Sequence, residues 1–309
     1  MVDNNTTIPG FPTGPGFANA PSAPQGNPLA KHLRQPKIYI KLPSGGKYWP
    51  KGAIELPESG EFPVYAMTAR DEITFKTPDA LLNGQATVDV IQSCVPNIKD
   101  AWQTPSVDLD TLLVAIRMAS FGETIDMTAT VPNTSITKDF TFNLQQLYDK
   151  YLSAEFEDTF QIEGFLVQIK PITYKTATQQ SIKAFEEQRI FNIVGSDEVD
   201  DATKISKFQE SFRKLTEINV NVLIDSVVAI QPDGASEAVV NQAHIKEFLE
   251  NCEAKTFNQI QEHIAKQREK FVQPPLEIEA TPEEIEAGAP EKYKMPITFD
   301  QSNFFGSGS

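Results

Sequence analysis

Hydrophobic residues along this chain follow the two-residue period of strands in some stretches and the longer period of helices in others. Ile38, Ile40 and Leu42 alternate with polar residues and predict a strand. The turn signal Ser-Gly-Gly at 44–46 predicts a hairpin, in which residues 47–49 return as the second strand. The ordered part of the chain is therefore expected to begin with β structure at residue 37.

Helices are expected to follow this hairpin. Thr68, with Asp71 three residues later, is typical of a capping box at a helix start. Ser106 is expected to cap a longer helix, with its buried stripe between residues 109 and 116, and Gly122 to end it.

Two hairpins are predicted in the next part of the chain. Hydrophobic residues alternate over 125–131 and again over 140–144, and the polar stretch 132–137 joins them. A second pair of alternating stretches, 160–162 and 165–169, flanks a Glu-Gly turn.

From residue 176 to about 271 the hydrophobic spacing is helical, with a Pro-Asp-Gly interruption at 232–234. This pattern predicts an antiparallel helical hairpin or a small bundle.

The two ends differ from this body in composition. Proline and glycine recur through residues 1–36, which opposes helices and strand ladders. This tail is either a flexible leader or a segment that orders on a partner, with Phe11 and Phe17 as anchors. Residues 272–292 are rich in glutamate and proline and predict a solvated linker.

After the acidic stretch, alternation resumes at residues 293–299 and predicts an edge strand, since Pro296 cannot donate to a central ladder. Phe304 and Phe305 follow in a polar context. This aromatic pair either folds back onto the body or inserts into another chain. Together with Phe299, Asp300 and Asn303, it forms the predicted partner-binding segment.

The fold class that these patterns predict is α+β. A mixed domain with β-hairpins over 37–172 precedes a mostly helical domain over 173–271. The acidic linker 272–292, the closing segment 293–309 and the flexible tail 1–36 complete the predicted organisation.

The charge balance limits the classes of binding partner that the sequence favours. The formal net charge is −15, from 42 acidic and 27 basic residues. This balance argues against nucleic-acid and anionic-lipid binding, which both need a basic surface. Two widely spaced cysteines, the lack of a secretory signal and the lack of a long apolar run favour a cytoplasmic site of action.

Catalytic and metal-binding patterns are weak. His32 lies in the tail, while His244 and His263 lie among charged residues of amphipathic stretches and are interpreted as surface histidines. Cys94 and Cys252 lie on apolar helix faces, where thiols pack as small hydrophobes. The Gly-Gly-Lys triplet at 45–47 lacks the spacing of a phosphate loop. We expect no cofactor, no metal site and no enzymatic activity.

Several blocks of sequence resemble the baseplate-hub and hub-assembly proteins of T4-type contractile-tailed bacteriophages. They are IYIKLPSGGKYWP at 38–50, MTARDE at 67–72, FKTPDALLNGQA at 75–86, SCVPNI at 93–98 and TFDQSNFF at 298–305. The resemblance is dense over residues 37–125, thins through the helical stretch and returns near residue 300.

The resemblance implies a baseplate hub protein that acts in baseplate and tail assembly by protein–protein binding. Other hub proteins and the tape-measure protein are the implied partners, in the host cytoplasm during assembly and in the virion baseplate. The alternative is a transient assembly chaperone for a hub or tape-measure protein, absent from the mature virion.

The chain departs from its relatives at two places. Relatives carry cysteine pairs in the hairpin loop and before the final strand, which suggests zinc ribbons. Residues 130–137 and 272–292 of this chain contain no cysteine. Hydrophobic cross-strand pairs, such as Val131 and Phe140, are expected to hold these segments instead.

Overall fold

A computed structural model describes residues 33–77, 84–194, 201–273 and 275–295. Within these ranges the helices are α1 (Ala69–Phe75), α2 (Gln85–Cys94), α3 (Ser106–Phe121), α4 (Leu144–Ser153), α5 (Tyr174–Val194), α6 (Asp201–Ser226), α7 (Gln242–Asn251), α8 (Ala254–Glu269) and α9 (Pro282–Glu286). The strands are β1 (Pro36–Ile40), β2 (Phe62–Tyr65), β3 (Thr124–Thr130), β4 (Thr137–Asn143), β5 (Thr159–Ile162), β6 (Phe165–Ile169), β7 (Val227–Pro232), β8 (Leu276–Glu279) and β9 (Lys292–Met295). Small antiparallel sheets and helices alternate, which confirms the predicted α+β class.

The first core surrounds α3, which is buried on nearly all sides. A helix in that position must be apolar all round, and residues 112–116 of α3 meet this requirement. The helix starts one residue earlier than predicted. Pro105, not Ser106, is its N-cap, and the Ser106 N–H donates to the Ile172 carbonyl. The capping box of Thr68 and Asp71 at α1 is confirmed.

The first predicted hairpin is wrong in its second strand. β1 pairs with β2, in the register Ile38 opposite Val64 and Ile40 opposite Phe62. Residues 47–49 lie instead in a series of turns. Ile40, Phe62 and Val64 are buried, so the pairing of β1 with β2 places apolar side chains of both strands in the first core.

The hairpin of β3 and β4 is confirmed, with Ile125 opposite Phe142 and Met127 opposite Phe140. Val131 is therefore not opposite Phe140, although both side chains pack in one cluster. The predicted second strand is too long, because residue 144 already begins α4. The Asn143 side chain caps this helix by accepting from two backbone N–H groups.

The second core lies between the sheet β5–β6–β7 and the helices α6, α7 and α8. β5 and β6 form the predicted hairpin. β7 was not predicted, because residues 176–271 were interpreted as helical throughout. It pairs with β6, with Val167 opposite Ile230, so this sheet joins residues on both sides of the expected boundary at 172. The domain boundaries themselves remain a prediction.

The third core is small and contradicts the view of residues 272–292 as a solvated linker. β8 pairs with β9, and Tyr293 and Met295 pack with Val131 of the β3–β4 hairpin. The sequence Thr281-Pro-Glu-Glu284 forms a capping box with proline at the first turn of α9. The alternation predicted at residue 293 is confirmed up to Met295, and residues 296–309 lie outside the described residues.

Candidate functional site

The block of sequence that carries the resemblance forms a loop, residues 44–49, here called the clasp loop. Asp108 in the first turn of α3 holds it from inside. The Asp108 carboxylate accepts from the Ser44 N–H at 2.9 Å, the Ser44 hydroxyl at 2.5 Å and the Trp49 Nε1–H at 2.7 Å. Asp108 is fully buried, so these donors replace the water that the carboxylate loses.

Two glycines allow the clasp loop to turn this tightly. Gly45 has φ +58° and Gly46 has φ +87°, in the left-handed region that favours glycine. A Cβ atom at Gly46 would also lie 2.5 Å from the Leu56 side chain. The Gly-Gly-Lys triplet therefore forms a tight turn that packs against the Leu56 side chain.

The electrostatics of Asp108 follow from its burial. Burial raises the pKa of this carboxyl, because a charge loses hydration in the interior. The hydrogen bonds from Ser44 and Trp49 oppose that rise, because they favour the ionised form. Asp108 lies in the first turn of α3, where the helix dipole also favours an acidic side chain, but its hydrogen bonds are to the clasp loop.

The outer side of the clasp loop contacts the second part of the fold. Lys47 Nζ lies 2.6 Å from Asp158 Oδ2, and the Tyr48 hydroxyl donates to the same oxygen at 3.2 Å. Partial burial of Asp158 raises its pKa, but the hydrogen bond and charge of Lys47 outweigh this and hold the pKa below its usual range. Asp158 directly precedes β5, and its carbonyl accepts from the Ile169 N–H.

Aromatic rings also connect the clasp loop to the second part of the fold. The Tyr48 ring meets Phe156 edge to face, with 5.5 Å between centroids, and Phe156 lies 6.5 Å from the buried Phe271. Phe156 also packs against the second core, whereas Trp49 belongs to the first. The clasp loop therefore links the two main cores.

The exposed side of the hairpin formed by α5 and α6 is the strongest candidate for an assembly surface. Phe185 on α5 is 56% exposed, and Ile205 and Phe212 on α6 are 58% and 70% exposed. Ile205 and Phe212 are seven residues apart and share one helix face. These three side chains, one on α5 and two on one face of α6, are here called the hairpin face. A protein partner that covers them would bury their apolar surface.

In addition to the apolar contacts of the third core, an ion pair links α9 to the β3–β4 hairpin. Lys138 Nζ lies 3.0 Å from Glu284 Oε1, and Glu284 is only 4% exposed. Its other oxygen accepts from the Thr281 N–H at 2.8 Å. The Thr281 backbone hydrogen bond and then Lys138 hold the pKa of Glu284 below its ordinary value of 4.5.

Glu284→Gln is expected to destabilise the protein near pH 7 and to flatten the pH dependence of unfolding in acid. Because the folded pKa is lowered, the stabilisation is complete above about pH 4.5 and is lost as the pH falls through the folded pKa. Urea unfolding of both proteins at about pH 7 and about pH 3 measures this. Glu283→Gln, at an exposed neighbour, is the control. An equal difference at both pH values would contradict the prediction.

Among the described residues, His244, His263, Cys94 and Cys252 do not come together. His263 stacks on Phe160 at 3.7 Å between centroids, and its Nε2 lies 3.2 Å from the Glu157 carbonyl. Cys94 is buried and Cys252 is half-buried at the end of α7. Within the described ranges, no group of three His, Cys, Asp or Glu side chains is placed to hold a metal ion.

The partner-binding residues proposed from the sequence cannot be placed. Phe11, Phe17, Phe299, Asp300, Asn303, Phe304 and Phe305 lie outside the described residues. Their role in binding stays a prediction. The hairpin face was missed, because Ile205 and Phe212 keep the helical spacing of hydrophobic residues that is typical of a bundle, whereas the structure exposes both side chains.

Comparison with known protein families shows the family of this chain. The family described as T4 bacteriophage base plate protein matches residues 36–281, about four fifths of the chain. The chain belongs to this family. The matched range includes the clasp loop, both main cores and the α5–α6 hairpin. Searches of curated proteins and of solved structures gave no match.

Membership in the base plate family confirms the resemblance of the sequence blocks between residues 38 and 98 to T4-type baseplate proteins. The block at 298–305 lies beyond the matched range. A structural or assembly role in the phage baseplate, in association with other baseplate proteins of the virion tail, follows from this membership. In the ranges that the structure describes, no helix has the length and apolar character to span a bilayer.

Proposed function

We propose that this base plate protein is a component of the central hub of a contractile phage tail and acts by protein–protein binding alone. Its partners are other hub proteins and the tape-measure protein. The family match carries the proposal, and the hairpin face supplies the surface.

The hairpin face suits a protein partner on energetic grounds. Burial of one phenylalanine side chain contributes roughly 1.5–3 kcal/mol. Phe185 and Phe212 are each more than half exposed, so each ring that a partner covers contributes part of this free energy. On the same hairpin Lys214 pairs with Glu187 and Glu210, and charged groups of this kind also form the polar rims of protein interfaces.

Phe185→Ser combined with Phe212→Ser is expected to reduce incorporation into purified phage particles at least tenfold. The two exposed rings would no longer be available to the partner. The buried residues of the cores would be unchanged, so the protein should still fold. Quantitative mass spectrometry of particles measures copy number, and circular dichroism checks the helix content. The matched control is Ile73→Ser, at a 67% exposed position on α1.

The same measurement separates the two assembly functions. A hub component is present in purified particles at a defined copy number. A transient chaperone is absent from particles but co-purifies with hub or tape-measure proteins from the infected cell. Wild-type protein found only in such complexes would replace the hub proposal with the chaperone.

A further inference from the structure

Helix α6 carries one row of side chains along most of its length. The row consists of Ile205, Phe212, Thr216, Val220 and Leu223, at intervals of seven, four, four and three residues. These intervals place the side chains on one helix face, because a turn of α-helix takes 3.6 residues. This set is here called the α6 row. It extends over about 27 Å, at a rise of 1.5 Å per residue.

The two ends of the α6 row have different surroundings. Ile205 and Phe212, towards the start of the helix, are each more than half exposed. Val220 and Leu223, towards its end, pack in the second core and line a groove of about 500 Å³ between α6 and α8. The exposed pair of the hairpin face and the groove therefore lie along one face of α6.

The groove is elongated in the direction of its helices. Its wall on α8 includes Phe257, Gln261, Ile264 and Arg268, which are again spaced three or four residues apart. Ile264 is buried, whereas Phe257 is half-buried and Ala265 beside it is exposed. Rows of this kind on two neighbouring helices form the surface on which a third helix packs.

Two arginines border this surface. Arg213 directly follows Phe212, and its ion pair with Glu217 has an N–O distance of 3.8 Å between two largely exposed side chains. Such a pair stabilises little, so Arg213 remains available to a partner. Arg268 carries the one charge among the residues that line the groove, and within the described ranges no carboxylate pairs with it. A partner with acidic groups at these places complements both arginines.

We propose that the α6 row and the groove together bind an amphipathic helix of a partner baseplate protein, with an apolar stripe and acidic residues along its edges. A helix of about 18 residues matches the length of the row. Its stripe covers Phe212 and enters the groove over Val220, while its carboxylates pair with Arg213 and Arg268. This inference rests on the proposed function and specifies the chemistry of the partner.

Site-specific photo-crosslinking in infected cells tests the proposal. The full chain, with benzoyl-phenylalanine at Gln209 or at Gln261, complements a phage that lacks its gene, and crosslinked peptides are identified by mass spectrometry. Gln209 is exposed between Ile205 and Phe212, and Gln261 lines the groove. Both positions are expected to crosslink to a single segment of one other phage protein, at sites about two to three helical turns apart. That segment should have apolar residues at helical spacing and acidic flanks.

Charge reversal gives a second readout. Arg213→Glu combined with Arg268→Glu is expected to reduce the crosslink yield at both positions at least tenfold. The matched control is Lys207→Glu with Lys246→Glu, which changes the net charge equally at exposed positions outside the α6 row. The control should keep the yield within twofold, and circular dichroism checks that both variants fold.

Three results would overturn the proposal. They are crosslinks to a second copy of this chain, crosslinks from one position alone or to a segment without helical spacing of apolar residues, and equal losses in the two charge variants. Copy number in purified particles is measured separately. A protein that enters particles without these crosslinks keeps the hub function and loses the helix partner, whereas crosslinks to a protein absent from particles do the reverse.

Discussion

Asp108→Ala is expected to lower the free energy of unfolding by about 3–5 kcal/mol, the largest effect of any single polar substitution proposed for this protein. The carboxylate is buried and accepts three hydrogen bonds from Ser44 and Trp49. Its removal leaves those donors without an acceptor, and each unpaired buried donor costs about 1–3 kcal/mol. The clasp loop would also lose its anchor.

Urea unfolding followed by tryptophan fluorescence measures this effect, because Trp49 itself reports on the clasp loop. Asp89→Ala is the matched control, since Asp89 is exposed on α2 and its carboxylate accepts a hydrogen bond from Gln85 in the same helix. The control should change the unfolding free energy by less than about 1 kcal/mol. Equal effects of the two substitutions would show that Asp108 does not hold the loop.

Phe156→Ala is expected to destabilise the protein by about 2–3 kcal/mol and to separate the unfolding of the two main cores. Truncation of a buried phenylalanine costs about 3–5 kcal/mol, and Phe156 is half-buried, so a smaller loss applies. Phe156 contacts Tyr48 of the clasp loop on one side and Phe271 on the other. Without its ring, the cores lose the aromatic part of their connection.

The positions of the two tryptophans make this separation measurable. Trp49 and Trp102 both pack in the first core, so fluorescence reports on that core alone. Far-ultraviolet circular dichroism reports also on α6, α7 and α8. The two transitions should coincide in the wild type and differ in Phe156→Ala. Phe160→Ala, which removes a ring of the second core away from the clasp loop, should keep them coincident; separation there too would refute the role of Phe156.

The clasp loop gives a physical reason for the sequence block that resembles baseplate proteins. Ser44 and Trp49 bind Asp108, the glycines permit the turn, and Lys47 and Tyr48 bind Asp158. Ser44, Lys47, Tyr48 and Trp49 thus each have a structural partner far away in the chain. The contacts of the block stabilise the fold that carries the hairpin face. These contacts account for the polar residues of the block without a ligand.

Local sequence patterns were sufficient to predict the elements whose structure depends on residues close together in the sequence. The capping box at Thr68, the hairpins β3–β4 and β5–β6, and the strand at Tyr293 follow from residues at most about 20 positions apart. The α+β class and the base plate family follow from the same sequence. Turn chemistry and the alternation of side chains act over such short distances, so the sequence by itself determined these features.

Tertiary structure alone decided the features that depend on distant partners. The pairing of β1 with β2, the strand β7 in a helical stretch and the packing of the third core each join segments whose local patterns allow other choices. Asp108 resembles an ordinary helix-start aspartate until Ser44 and Trp49, about 60 residues earlier, reach it. Burial and hydrogen-bond partners depend on which surfaces pack together in the folded chain. The local periodicity of hydrophobic residues carries no information about that packing.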